Sequence, residues 1–368
     1  MSTALIHEWL VTLAGAESVL QSIHSLYPGK IYTLFHNSRE LKGSIFDGVP
    51  IQTSFLQKLP FSRKHRLFLP LFPMAIEQFD LRDHNLIISS SYAVAKGVLN
   101  SSDQLHICYC HSPMRYIWDL TFEYLEAEGL TRGMKSFIIR SMMHYIRIWD
   151  QVSSNRVNEF VTNSNYIANR IKKCYNRRAK VIYPPVDIER FSVSPSKDNY
   201  FITVSRLVPY KRVDLIIEAF KKLKLPLLIV GDGPSRSQLE KISDSNIEFT
   251  GYVTPTRLEN LLSRARAFVF CAEEDFGVAN VEAQACGVPV IAFGRGGALE
   301  TVIDKKTGLF FYKRSVDSLM EKIKEFIRTE DNFDPLKIRE NAERFPRSRF
   351  ESEFKKFVDE AWERFPYK

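Results

Sequence analysis

Short apolar runs separated by amphipathic stretches recur along the whole chain. In the first half the clearest are Leu86-Ile-Ile88 and Leu105-His-Ile-Cys-Tyr109. In the second half they are Tyr200-Phe-Ile-Thr-Val204, Leu227-Leu-Ile-Val230, Ala267-Phe-Val-Phe270 and Val290-Ile-Ala-Phe293. Runs of this length predict strands, and the stretches between them carry helical spacing. Strands alternating with helices predict parallel sheets covered on both faces. The pattern breaks near Tyr183-Pro-Pro-Val-Asp187, followed by polar Ser192-Val-Ser-Pro-Ser-Lys-Asp198. Pro184 and Pro185 forbid a continuous helix across that crossing. Two doubly wound α/β halves facing across a cleft follow. Ligands of such sheets sit at the carboxyl ends of strands, so the loops there hold the candidate chemistry.

The loop after strand 200–204 reads Ser205-Arg-Leu-Val-Pro-Tyr-Lys-Arg-Val-Asp214 and opens an amphipathic helix, Leu215-Ile-Ile-Glu-Ala-Phe220. Arg206 and Lys211 therefore precede a helix N-terminus, where unpaired amides and the helix dipole already favour an anion. Two cations there make a diphosphate clamp that needs no metal. The plainer alternative is an exposed basic loop. Gly231-Asp-Gly-Pro234 makes a tight turn after the next strand but lacks the third glycine of a dinucleotide fingerprint. Gly15, in Ala14-Gly-Ala-Glu17 before a helix, can let backbone approach a phosphate or sugar closely. His111, in Cys110-His-Ser-Pro-Met-Arg115, ends the strand 105–109. No Ser/His/Asp or metal constellation surrounds it in the sequence, and a lone histidine is more often structural.

The densest stretch is Glu273-Glu-Asp-Phe-Gly-Val-Ala-Asn-Val-Glu-Ala283. Glu274 falls in the loop after strand 267–270, and Glu282 inside the helix that follows. Their spacing does not set them on one helical face, so a simple acid/base pair is not what it offers. A carboxylate can accept both hydrogens of a vicinal diol. Two carboxylates at different depths beside a phosphate clamp suit two sugars joined by a diphosphate, which is a nucleotide sugar. Gly277 removes a side chain where the loop must pass close to something. A solvated acidic loop accounts for Glu273 but not for an acid inside an Ala/Val-rich helix start.

Composition narrows the partners. The chain has 368 residues, 45% of them hydrophobic and 26% charged, which describes a globular protein of two domains. A formal charge of +8 favours an anionic partner. The five cysteines show no zinc spacing and no CxxC, and read as reduced, buried thiols of a cytoplasmic protein. No signal peptide and no membrane-spanning run is expected. Two segments mix apolar and basic residues in the manner of a lipid-surface contact. The first is 55–69, with Arg63, Lys64 and Arg66. The second, 134–149, carries Lys135, Arg140 and Arg147. By itself the second reads as a buried domain helix.

Together these motifs resemble the retaining glycosyltransferases of family 4, whose two Rossmann-like domains form the GT-B arrangement. The resemblance spans almost the whole chain. It is carried by E-x7-E from Glu274 to Glu282, Ala285-Cys-Gly-Val-Pro289, Gly296-Gly-Ala-Leu-Glu300, the SRLVPYKRVD loop, the GDGP turn, the HSP segment and the YPPVD linker. It implies an acceptor-side domain over 1–185, a nucleotide-sugar domain over 186–349 and a terminal helix, 350–368, crossing back to the first domain. It further implies that Arg206 and Lys211 grip the donor diphosphate and Glu282 holds the ribose. Glu274, with Phe276, Gly277 and Val278, would hold the donor sugar. His111 would contact that sugar, and Gly15 would lie beside the phosphates or acceptor. The family usually has Gly-Gly where this chain has Ala14-Gly15. The base would meet Tyr252 and Val253. His111, Arg206, Lys211 and Glu274 are the expected catalytic set, with no cofactor and no metal.

Within the family the chain looks most like mannosyltransferases of O-antigen and related lipid-linked polysaccharides. That likeness implies GDP-mannose as donor, a lipid-linked or polysaccharide acceptor, an anionic membrane surface as partner, peripheral attachment to the inner face of the membrane, and no nucleic acid. A UDP-sugar donor is the alternative. A nucleotide-sugar epimerase and a non-catalytic basic scaffold are the competing functions.

Overall fold

The computed structural model describes residues 2–60 and 62–366; the side chains of 61–66 and 127 are outside what it describes, and Arg63, Lys64 and Arg66 fall among them. The chain divides into two compact units, Met1–Pro185 with Ser348–Lys368, and Val186–Arg347. The first contains strands β1 (Thr3–Leu10), β2 (Lys30–His36), β3 (Ile51–Thr53), β4 (Leu86–Ser91), β5 (Leu105–Cys110), β6 (Glu159–Thr162) and β7 (Ala179–Val181). They form one parallel sheet in the order β3-β2-β1-β4-β5-β6-β7. The second contains β8 (Phe201–Val204), β9 (Leu227–Val230), β10 (Ile247–Gly251), β11 (Phe268–Phe270), β12 (Val290–Phe293) and β13 (Gly308–Phe311). Its order is β10-β9-β8-β11-β12-β13, again parallel. Each order reverses direction once, between β1 and β4 and between β8 and β11. Crevices at such reversals are where doubly wound sheets take ligands.

Helices cover both faces of each sheet. In the second unit the helices Val213–Leu223 and Val316–Thr329 bury Ile216, Phe220, Ile323 and Phe326 against Phe201, Ile229 and Phe311. In the first, the helix Gly15–Leu26 and the terminal helix Arg347–Arg364 share one face. Phe350, Phe354, Val358 and Ala361 recur at helical spacing and pack on Leu5, Ile88 and Ile107. Phe350 stands 5.7 Å from the Tyr109 ring, and the Tyr109 hydroxyl donates to the Ile182 carbonyl at 3.0 Å. All five cysteines are buried and free.

Two differences from the sequence reading stand out. Strand β1, at the centre of its sheet, escaped notice because His7 and Glu8 interrupt its apolar run, although both are fully buried. The segment 134–149 is not a fully buried helix. The helix Met134–Ser153 buries Met143, Ile146 and Asp150 but leaves a second apolar stripe outward: Met134, Phe137, Ile138, Tyr145, Ile148 and Val152. Met134 and Phe137 are 74% and 68% exposed. Arg132, Lys135 and His144 are exposed alongside that stripe. No helix among the described residues is long and apolar enough to cross a membrane.

Candidate functional site

In the second unit the chain leaves β8 through Ser205 and Arg206, makes a single turn of 3-10 helix at Pro209–Lys211, and enters the helix Val213–Leu223 through Arg212 in the left-handed region (φ 55°). No side chain caps that helix, so its first amides remain open to an anion. Arg206 is exposed, and its guanidinium has no hydrogen bond or ion pair among the described residues. The GDGP turn buttresses this loop. Leu207 N–H donates to the Asp232 carbonyl at 2.9 Å, and Ser235 N–H to the Leu207 carbonyl at 3.1 Å. Gly231 has φ +124°, and a Cβ there would strike the Ser205 carbonyl. The turn's glycines thus serve the approach of two backbones, and the turn has no dinucleotide role to explain.

The neighbouring strand in the sheet, β11, delivers the acidic loop. Gly277 has φ +87°, a conformation that strains any residue with a Cβ, and it precedes the helix Val278–Ala285. Phe276 is buried with its ring 5.3 Å from Phe345, which anchors the loop from below. Gly297 N–H donates to the Glu274 carbonyl at 2.8 Å, holding the loop from the side. Glu273 pairs with Arg314 at 3.0 Å, so it is not merely solvated.

Lys211 and Glu274 meet directly, Nζ to Oε1. They are 63 residues apart, and the adjacency of β8 and β11 brings them together. The ammonium also lies 5.8 Å from the centre of the Phe270 ring. Both side chains are mostly buried, at 15% and 22% exposure. A ligand can therefore exchange one partner for another here without exposing an uncompensated charge. Glu282 sits deeper, in the helix, 3.5 Å from the Arg190 guanidinium. Its side chain is 21% exposed. Burial still pushes its carboxyl up to about 7, Arg190 opposing and Asp187 adding to the rise. Arg190 lies just past the Pro184-Pro185 crossing and was not foreseen. Nothing in the sequence marks it as a partner of Glu282. Tyr252, 81% exposed, and Val253 follow β10, two strands from β8. They are not part of the charged cluster.

In the first unit, His111 is at the carboxyl end of β5, but it is not the isolated residue the sequence suggested. Its Nε2 lies 2.9 Å from Ser90 Oγ of β4. Ser90 in turn contacts His7 of β1, through the backbone oxygen at 3.1 Å and Oγ at 3.2 Å from Nδ1. His7 Nε2 lies 3.3 Å from Glu17 Oε1, and Glu17 Oε2 accepts from the Ala14 N–H at 2.9 Å. Gly15 begins the helix at that point and has open space around its Cα. A methyl at Ala14 leaves this turn undisturbed. The four polar side chains come from three neighbouring strands and one helix, which is why no local pattern announced them. Among the described residues no three of His, Cys, Asp or Glu are grouped to hold a metal ion.

Comparison with known proteins bears on the family and the fold. Residues 186–345 match the family described as glycosyl transferases group 1, and residues 21–190 match glycosyltransferase family 4. The chain is 28% identical over 251 residues to an uncharacterized glycosyltransferase of Methanocaldococcus jannaschii, covering 66% of this chain and 71% of that protein. It is 31% identical over 200 residues to the GDP-mannose-dependent alpha-(1-6)-phosphatidylinositol monomannoside mannosyltransferase of Mycobacterium tuberculosis. That match covers 46% of this chain and 52% of the mannosyltransferase, so the chain spans about half the length of that relative. Among solved structures, HepE of Anabaena with UDP-glucose aligns over 98% of this chain and 100% of its own, at TM-score 0.71 and 18% identity. Sucrose-phosphate synthase of Thermosynechococcus elongatus aligns over 98% and 99%, at TM-score 0.76 and 14% identity. Likeness at such low identity establishes the fold. The chain is a glycosyltransferase family 4 domain followed by a glycosyl transferases group 1 domain, built on the GT-B fold.

Proposed function

We propose that this protein is a retaining glycosyltransferase that moves mannose from GDP-mannose onto a lipid-linked or polysaccharide acceptor. The observation that carries the transferase reading is the meeting of two loops at the reversal between β8 and β11. One brings Arg206 and Lys211, the other Glu274, with Glu282 one helical step behind. Arg206 and Lys211 grip the diphosphate, Glu282 accepts from the ribose hydroxyls, and Glu274 with the backbone at Phe276, Gly277 and Val278 holds the sugar. His111 holds a sugar hydroxyl. In the reaction the bond from the anomeric carbon to the diphosphate breaks and a bond to the acceptor hydroxyl forms on the same face. The acceptor proton goes to the departing phosphate oxygen. Negative charge grows on that phosphate, where two cations supply compensation without a metal ion.

GDP-mannose is favoured because relatives near 31% identity are GDP-mannose-dependent mannosyltransferases. The UDP and UDP-glucose bound to HepE keep a uridine donor as the alternative. A lipid-linked acceptor at the membrane surface is favoured by the outward apolar stripe of the helix Met134–Ser153 with exposed Arg132 and Lys135 beside it. The test is release of GDP from GDP-mannose against UDP from UDP-glucose and UDP-N-acetylglucosamine, with and without acceptor glycolipid. Preference for a uridine donor sinks the mannose assignment alone. No turnover of any nucleotide sugar, and no thermal stabilisation by one, sinks the transferase reading.

A further inference from the structure

The hydrogen-bond pattern around His7 leaves its protons little freedom. Its Nδ1 faces the Ser90 carbonyl at 3.1 Å and its Nε2 faces the Glu17 carboxylate at 3.3 Å. Both oxygens only accept, and although the Ser90 hydroxyl also lies 3.2 Å from Nδ1, a bare Nδ1 would set its lone pair against the nearer carbonyl, so both ring nitrogens carry hydrogen and His7 is an imidazolium. Burial opposes that charge, but the hydrogen bond and charge of Glu17, with Glu8 and the Ser90 carbonyl behind them, outweigh it and raise the pKa above the ordinary histidine value. With the His7 Nδ1 hydrogen directed at Ser90, the Ser90 hydroxyl cannot donate back to it. Its remaining acceptor is His111 Nε2 at 2.9 Å. A buried hydroxyl hydrogen left without a partner is unfavourable, which fixes the direction of that bond.

His111 Nε2 is then bare. Burial, with the His7 charge behind it, lowers the His111 pKa to about 3, so the ring is neutral and its single hydrogen sits on Nδ1. That Nδ1 has no hydrogen-bond partner among the described residues. The Tyr92 and Tyr109 rings, 6.0 and 5.1 Å away, fix the plane of the imidazole. We infer that Glu17, His7 and Ser90 form a positioning chain that locks His111 in one tautomer, a neutral Nδ1–H donor at the carboxyl end of β5. This rests on the glycosyltransferase reading only for what the donor meets, an oxygen of the nucleotide sugar. Within that reading it removes His111 as the base. Its outward nitrogen is already protonated, and the acceptor's proton must go elsewhere.

The test uses the full chain labelled with nitrogen-15 in its histidines, assigned through His7→Gln and His111→Gln. At pH 7.5, without ligand, His111 is expected to show a pyrrole-type Nδ1 and a pyridine-type Nε2, and His7 two protonated nitrogens. Ser90→Ala keeps the carbonyl that holds His7 but removes the hydroxyl, so His7 is expected to stay unchanged while His111 becomes a tautomer mixture. Glu17→Gln removes the charge on His7, and the pKa of His111 is expected to rise while Ser90 still fixes its tautomer. A protonated Nε2 on wild-type His111, a neutral His7, or a His111 spectrum indifferent to Ser90→Ala each overturns the chain. In turnover, Ser90→Ala is expected to lower kcat/KM about fivefold to tenfold, the size of one neutral hydrogen bond. Unchanged turnover beside a changed spectrum overturns the donor-binding role. Absence of turnover in the wild type, with the spectra as expected, instead counts against the transferase reading.

Discussion

The two units treat charge in opposite ways. Among the described residues, every buried His, Asp, Glu, Lys or Arg lies in the first unit, including His7, Glu8, Glu17, Lys96, His111 and Asp150. The second unit buries only uncharged polar side chains and leaves its charged groups partly or fully exposed, Lys211 and Glu274 among them in loops at the ends of its strands. In the first unit each buried charge has fixed partners. Glu8 Oε1 accepts from Ser91 Oγ and from the N–H groups of Tyr92, Ala93 and Ala95 at 2.8–3.0 Å. Asp150 takes Lys96 on one oxygen, and Trp118 Nε1 and Tyr175 OH at 2.8 and 2.9 Å on the other. Such groups are preorganised, and apart from the Nδ1 of His111 none of these contacts is offered to a ligand. In the second unit Arg206 is exposed and Lys211 holds a carboxylate it can exchange. Fixed charge shapes and orients. Accessible charge receives.

The sharpest way to break this contrast is Asp150→Ala. It strands the Lys96 ammonium in a site that is 1% exposed, and a loss of about 3–5 kcal/mol is expected in denaturant unfolding. A loss under 1 kcal/mol means that Lys96 finds water, and that the first unit is not sealed as described. Arg206→Ala should do the converse: leave stability within about 0.5 kcal/mol while lowering turnover by about two to three orders of magnitude. Lys211→Ala should match it in turnover. Near-native turnover in either variant removes the diphosphate assignment.

Glu282 lies between the two regimes, and pH exposes it. Its folded pKa is raised, so its favourable contribution is full below the unfolded value and fades as pH climbs through about 7. Glu282→Gln should therefore match the wild type near pH 4 and be more stable by roughly 2–3 kcal/mol at pH 8.5. A stability difference that does not vary with pH argues that Arg190 neutralises the carboxylate fully. The smallest effect belongs to the outward stripe. Phe137→Ser or Ile148→Ser should weaken salt-sensitive binding to anionic vesicles by about 1 kcal/mol each, at no cost in melting temperature. Vesicle binding that ignores both substitutions, or that is missing at low salt, removes the lipid-surface proposal.

The same contrast decides what was legible. Strands β8, β9, β11 and β12 read plainly from the sequence because their interior is apolar on both faces, and the pattern of residues repeats the pattern of burial. The loops between them were equally readable. An exposed cation before a helix start, or a glycine at φ +87°, is a local requirement that local residues satisfy. Strand β1 did not read as a strand because its burial is polar. His7 and Glu8 are solvated in an isolated segment and become core residues only when Ser90 and the 92–95 backbone supply partners. The outward face of the helix Met134–Ser153 was hidden for the opposite reason. An apolar residue is the same letter whether its neighbour is a sheet or open surface.

The sequence by itself determined the alternation of strand and helix, the break at Pro184-Pro185, and the loops that carry Arg206, Lys211, Glu274 and Glu282. Each of these is set by steric and solvation preferences that act over a few residues. Only the tertiary structure decided that Lys211 faces Glu274, that Arg190 faces Glu282, and that Glu17, His7, Ser90 and His111 stand in one chain. These pairings depend on strand order. A parallel sheet sets β8 beside β11 and β1 beside β4 across long crossovers, and hydrogen bonds reaching about 3 Å exist only once that order is in place.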